Sequence, residues 1–327
     1  WKRSWLQHMT NHSPPWHKLG YPVPNAMSKE RLLREAHADY DVILSPVQVE
    51  DVIGGKFVTV EDRFVTGRVD PDTLELVNWE VVKGRYQVIP NETILDKAMA
   101  IVSASNNEAA LDSVGVLDGG RKFYVTIRTT QLNLHPKNVS ESDTVDNYIV
   151  VMTSHDGSIP ICYYNLDIRR STSCVYRIAP DSALSDFSLR KRHTPHATDR
   201  LEEAAQVINM RNQWTKELTT AIEDLSAPLR DYQVFQVLSS KWSLEKANTK
   251  KKREYAEGVH ELIMDLCNSE RNVGTFGETK WALYNAICEF YDFHRNIDEL
   301  ESIQQSFELD NFVHREKISV FKTLLGV

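Results

Sequence analysis

Between Tyr40 and Ile89 apolar and polar residues alternate. DVILSPVQVEDV, GKFVTVEDRFVTGRV and TLELVNWEVVKGRYQVI each carry the period of two that turns one face of a strand inward. Turn chemistry separates them at Gly54-Gly55 and Asp70-Pro71-Asp72, so the pattern predicts an antiparallel meander. On both sides the period lengthens to that of a helix. Ser28 stands as an N-cap to a short helix of about ten residues, with Lys29 and Glu30 in its first turn and the apolar spacing running from Arg31 to Ala38. NETILDKAMAIVSAS then places Ile94, Leu95, Ala98 and Ile101 on one helical face, with Asn91 as the cap.

Strand texture returns in GVLDGGRKFYVTIRTT, which pivots on Asp118-Gly119-Gly120, and in SCVYRIA. NYIVVMT and IPICYYN flank Asp156-Gly157. This places Ser154, His155, Asp156 and Ser158 within one turn, where a nucleophile, a base and an acid stand side by side. Adjacent residues on a strand point to opposite faces, so the segment is expected to be a hairpin with His155 at most a contact at its tip. From residue 199 onward the period stays near 3.6, over 199–225, 228–246, 252–268, 278–294 and 299–325. The expected fold class is α+β: an antiparallel β-meander with packed helices, followed by an all-helical C-terminal module. The expected divisions are an extended arm at 1–27, an α+β domain at 28–190 and a helical domain at 191–327. The arm carries Pro14, Pro15, Pro22, Pro24 and Gly20, and either clamps a ligand or subunit with Trp16 and His17 or covers a core edge.

Composition narrows the function. A chain of 327 residues, 41% hydrophobic, can bury a full core. It has no apolar run near the ~20 residues a membrane span needs, so no membrane partner is expected. The first residues, WKRSWLQHMTNHS, lack the apolar stretch of a secretory signal, and the expected location is cytoplasmic. Cys162, Cys174, Cys267 and Cys288 are too far apart for a zinc knuckle and too few for a disulfide scaffold. No Walker loop, dinucleotide fingerprint, GxSxG or HExxH occurs, so no cofactor and no metal is expected. A net charge of -8 excludes a uniformly positive surface but not a local basic stripe, and RKRH at 190–193, KKKR at 250–253 and IRR at 168–170 are local basic clusters.

Several stretches resemble one family, the phage- and plasmid-encoded proteins grouped as domain of unknown function 932. They are PWHKLG at 15–20, VVKGRYQVIPNE at 81–92, LDGGRKFYVTIRT at 117–129, TSHDGS at 153–158, RHTPHATDRLEEA at 192–204 and TKWALYNAICEFYDFHR at 279–295. That family usually follows the hairpin with an arginine, a cysteine and, two residues on, an asparagine. Here Cys174 is present, Tyr176 stands at the asparagine position and the arginines are Arg169 and Arg170. The resemblance implies a mobile-element setting. The order helix, three-stranded meander, helix is also similar to the core of single-strand annealing proteins of the Red beta and RecT kind, a likeness of fold.

Binding to single-stranded DNA needs a basic track for phosphates and flat side chains for bases. The candidates are Lys83, Arg85, Tyr86, Arg121, Lys122, Arg128, Arg169, Arg170, Arg190, Lys191 and Arg192. Together they predict a homo-oligomeric single-stranded DNA-binding protein that helps complementary strands pair. The alternatives are a metal-dependent nuclease or hydrolase using His155, Asp156, Glu289 and Asp292, and a non-enzymatic inhibitor of a host factor. On NAICEFYDFHR the spacing places Asn285, Glu289 and Asp292 on one helical face, where Arg200 or Arg295 would make a structural ion-pair network instead.

Overall fold

The computed structural model describes residues 14–24, 27–70, 73–129, 131–134, 143–176, 188–191 and 200–326. A 3-10 turn at Pro15–Lys18 leads into β1 (Tyr21–Pro22), α1 (Lys29–Glu35), β2 (Ile43–Glu50), β3 (Phe57–Val69), β4 (Leu76–Lys83) and α2 (Asn91–Ala104). Then come β5 (Ala110–Leu117), β6 (Lys122–Arg128), β7 (Leu132–Leu134), β8 (Asp143–Ser154), β9 (Ile161–Arg169), β10 (Val175–Tyr176) and β11 (Ser188–Lys191). The helical part holds α3 (Arg200–Leu225), α4 (Asp231–Lys241), α5 (Lys250–Cys267), α6 (Lys280–Glu289) with a π-helical turn at Phe290–His294, α7 (Glu299–Phe307) and α8 (Phe312–Leu325).

The predicted α+β class is what forms. The main sheet runs β1-β5-β6-β8-β9-β10, with β7 beside β8 and β11 beside β9, and every pairing is antiparallel. The meander β2-β3-β4 is a second, separate sheet. Both faces of the main sheet are covered, which is why its central strands read as unbroken apolar runs rather than alternations. One face, with Phe123, Val125, Ile149, Val151, Ile161 and Tyr163, packs under Ile94, Leu95 and Ala98 of α2 and Val207 of α3. A buried ionic bolt joins these layers: Lys97 of α2 donates to Glu203 of α3 at 2.6 Å, and Tyr163 of β9 donates to the same carboxylate oxygen at 2.8 Å.

The opposite face, with Tyr124, Tyr148, Val150, Met152 and Tyr164, is closed by Trp16 of the arm and Phe307 of α7. The covering role of the arm is therefore the one realised. Trp16 meets Tyr148 edge-on at 4.7 Å, and its indole N–H donates to Asp112 at 3.2 Å. Thr126 donates to that carboxylate at 3.0 Å, and His17 Nε2 lies 2.9 Å from it. The helices form a third cluster around Trp281, Tyr284, Leu218 and Phe321, into which β8 sends Val145, β10 sends Tyr176 and the loop before β10 sends Cys174. All four cysteines are buried thiols, and burial pushes Cys267 up to about 11 and Cys288 up to about 12.

Two helix boundaries differ from the expectation. The stretch 299–325 is two helices, because Asp310 takes a left-handed φ of 59° and Asn311 caps α8 by accepting from the His314 backbone N–H at 2.9 Å. Asn91 does not cap α2, whose N-cap is Pro90. Its amide donates instead to the Ala38 carbonyl at 2.9 Å, and its side-chain oxygen meets His155 at 2.8 Å.

Candidate nucleic-acid interface

The small sheet is mounted on the large one through an aromatic junction. Tyr40 donates to the Gly120 carbonyl at 2.6 Å, packs edge-on against Trp79 at 6.1 Å and carries the Arg68 guanidinium over its ring at 4.9 Å. Gly120 sits at φ 98°, and a Cβ there would lie 3.0 Å from the Tyr40 hydroxyl, so glycine is required at this contact. Trp79 in turn stacks on His155, with ring centroids 5.8 Å apart. His155 is thus fully buried between the two sheets and is not a contact at the hairpin tip. The turn itself is as predicted, with Gly157 at φ 78° and Asp156 accepting from the Ser158 backbone and hydroxyl at 2.9 and 2.6 Å. Tyr86 is corrected as a base-stacking candidate. It packs beneath Gly157 and donates to the Ser154 carbonyl at 3.1 Å, and burial raises its phenol above the ordinary range.

The expected continuous basic track does not form, because the registers divide its members between two ends of the main sheet. Arg128, Arg169 and Arg170 lie at the end away from the β8–β9 hairpin. Arg169 is fully buried. It donates to Asn272 at 2.5 Å, to Asn285 at 3.3 Å and to the Arg271 carbonyl, with its guanidinium 4.6 Å from the Phe276 ring centroid. No phosphate can reach it, and its role is to tie β9 to the helices. Arg170 is paired with Asp146 at 2.8 Å. At the hairpin end Lys122 is held between Asp118 at 2.8 Å and Glu308 at 3.0 Å, and Arg190 pairs with Asp310 at 2.6 Å. Burial raises the Asp118 carboxyl, but hydrogen bonds from Lys122 and Gln304 outweigh it and hold the group below the usual range. Arg192 lies outside the described residues.

What remains at the hairpin end is a smaller group. Lys83 ends β4 directly opposite Arg63 of β3; Arg85 follows two residues on, and Arg121 precedes β6, its carbonyl accepting from the His155 backbone N–H at 2.6 Å. Lys191 ends β11 opposite Ile161, at the same end of the sheet. Lys83, Arg85 and Arg121 are exposed. Among the described residues, no carboxylate stands within ion-pair distance of Lys83, Arg85 or Lys191. Sequence reasoning missed Arg63, which stands opposite Lys83 across the β3–β4 pair and 3.7 Å from the neighbouring Asp62 carboxylate.

The hydrolytic constellation does not assemble. His155 and Asp156 belong to the junction and its turn, whereas Glu289 and Asp292 are buried at the boundary of β10 and the helices. Glu289 accepts from Arg271 at 2.8 Å, with His294 3.8 Å away. Asp292 accepts from the Val175 backbone N–H at 2.8 Å, from Ser306 and from Lys317. The stripe on this helix forms an ion-pair network, but its cations are Arg271 and Lys317; the expected Arg295 donates instead to the Tyr291 carbonyl at 2.7 Å and to Gln305 at 2.8 Å, and the side chain of Arg200 lies outside the described residues. Among the described residues, no group of three or more His, Cys, Asp or Glu side chains is placed to hold a metal ion.

Residues 78–317 match the family model described as Domain of unknown function (DUF932). The chain belongs to this family. The match to DUF932 begins in β4 and ends in α8, so it takes in the hairpin, the main sheet from β5 onward and most of the helical part. PWHKLG, α1, β2 and β3 precede the matched residues. At the position where an asparagine was expected, this DUF932 member has Tyr176, whose hydroxyl donates to Asn285 at 2.8 Å inside the Arg169 network. No curated protein and no solved structure matches the chain. Among the described residues, no helix is long and apolar enough to cross a membrane.

Proposed function

We propose that this chain is a single-stranded DNA-binding protein of a mobile element, and that it contacts the phosphate backbone through the hairpin end of the main sheet. The observation that carries this reading is the gathering of Arg63, Lys83, Arg85, Arg121 and Lys191, from separate segments, around one turn. The order α1, β2-β3-β4, α2 adds support by analogy with annealing proteins, since it keeps their helix, meander, helix sequence. Pairing of complementary strands on such a surface needs no nucleotide cofactor, because base pairing and stacking supply the driving force and the protein supplies a neutralised backbone path.

A group of this size releases few counterions. With about four phosphate contacts, the slope of log affinity against log salt on a single strand is expected to be about -3. Lys83→Ala with Arg85→Ala should bring that slope to about -1.5 and weaken binding by more than tenfold at low salt. Fluorescence anisotropy with a labelled oligonucleotide measures both quantities. Absence of binding at low salt by the folded wild-type protein removes the proposal.

A further inference from the structure

Past the Lys97–Glu203 bolt, α2 and α3 part company. α2 ends at Ala104 while α3 runs on to Leu225, and the space left between them over the end of the main sheet is a cavity of about 180 Å³. One water needs roughly 10–15 Å³, so a small organic molecule has room there. The wall is aliphatic: Ile101 of α2 and Ile208 of α3, just beyond the bolt, with Ile149 of β8 and Ala109. Among the described residues no aromatic ring lines it, so it gives a nucleobase no surface for stacking.

Two opposite charges complete the lining. Arg211 of α3 donates from Nε to the Thr129 hydroxyl, just past β6, at 2.7 Å and from Nη1 to Thr215 at 3.2 Å. Burial pulls the guanidinium below its usual range, and the charges of Asp167 and Glu108 offset part of that. Glu108 stands exposed on the loop between α2 and β5 and lines the same cavity. The loop is fixed by its own bonds. Glu108 N–H donates to the Ser105 carbonyl at 3.0 Å and Ala109 N–H to the Ser105 hydroxyl at 3.1 Å, while Asn106 and Asn107 hold left-handed φ values of 52° and 68°, which asparagine tolerates. The cavity is therefore preformed, as sites for small molecules usually are.

We propose that this cavity binds a free α-amino acid with a branched aliphatic side chain. Arg211 takes the carboxylate, Glu108 takes the ammonium and the three isoleucines take the side chain. The lining selects this class by its charges. A nucleotide or other anion would meet Glu108 and the carbonyl end of α2, and a cation would meet Arg211. A neutral hydrocarbon would strip more water from the guanidinium and return nothing. A zwitterion satisfies both charges at once. The site lies at the end of the main sheet away from the hairpin, so it stands independently of the DNA contact.

Isothermal titration of the full chain with L-leucine, L-isoleucine and L-valine tests the site, with 4-methylpentanoate, which lacks the ammonium, and adenosine monophosphate as comparison probes. Wild type should bind at least one of the three amino acids with a dissociation constant on the order of 100 μM, and 4-methylpentanoate about tenfold more weakly. Glu108→Gln, at an exposed position, should keep the circular dichroism of wild type. It should weaken the amino acid by about tenfold and bind 4-methylpentanoate more tightly than wild type does, because a carboxylate ligand no longer faces a like charge. Arg211→Gln should remove detectable binding of both. The proposal is overturned if none of the three amino acids binds wild type at about 5 mM, if 4-methylpentanoate or adenosine monophosphate binds it as tightly as the amino acid, or if Glu108→Gln binds the amino acid as wild type does.

Discussion

Asp292→Ala is expected to lower the stability of the fold by about 3–5 kcal/mol, seen as a fall in the urea midpoint. Lys317 is fully buried, and its ammonium donates to Asp292 and to the Val175 carbonyl at 2.8 Å. Removing the carboxylate leaves that charge without its counterion, and also leaves the Val175 backbone N–H without its acceptor. The combined change Asp292→Ala with Lys317→Met should recover more than half of the loss, because an apolar pair of similar volume replaces an orphaned charge. The nuclease alternative predicts otherwise: a stable Asp292→Ala protein that has lost metal-dependent cleavage would show that the carboxylate serves chemistry.

Trp16→Ala is expected to cost a similar amount, about 3–5 kcal/mol. The indole is fully buried against Tyr148 and Phe307, and its loss leaves a cavity between the arm and the main sheet. Trp16→Phe keeps most of the apolar contact and gives up the hydrogen bond to Asp112, so it should cost only about 1 kcal/mol. Asp112 keeps Thr126 as a donor in both variants. If Trp16→Ala left the urea midpoint unchanged but impaired binding of an oligonucleotide, Trp16 would be a ligand contact rather than a cover for the core.

Local chemistry was legible in the sequence wherever one face of an element meets water. The alternation from Tyr40 to Ile89 gave the small sheet, Asp156-Gly157 gave the hairpin turn, and Ser28 gave the α1 cap, its hydroxyl accepting from the Arg31 N–H at 3.3 Å. It was not legible where both faces are buried. IRR reads as a solvated cluster, yet Arg169 lies on a strand packed on both sides, and its partners Asn272 and Asn285 are more than a hundred residues away in the chain. The cations serving Glu289 and Asp292 could not be chosen from helical spacing either, because Arg271 and Lys317 come from outside the helix that carries the carboxylates. The break between α7 and α8 left a signal in Asp310-Asn311, a pair suited to a left-handed residue and a cap, but the apolar period continues through it.

The candidate cations fall into two groups, one at the hairpin end and one at the far end of the main sheet, and on the proposed reading only the first group meets DNA. The direct measurement is the salt slope of single-stranded oligonucleotide binding for two charge-reversed proteins, Lys83→Glu with Arg85→Glu at the hairpin end and Arg128→Glu with Arg170→Glu at the far end. The first should lose most of the affinity and flatten the slope, while the second should bind as wild type does. Equal losses at both ends, or a loss confined to the far end, would contradict the account.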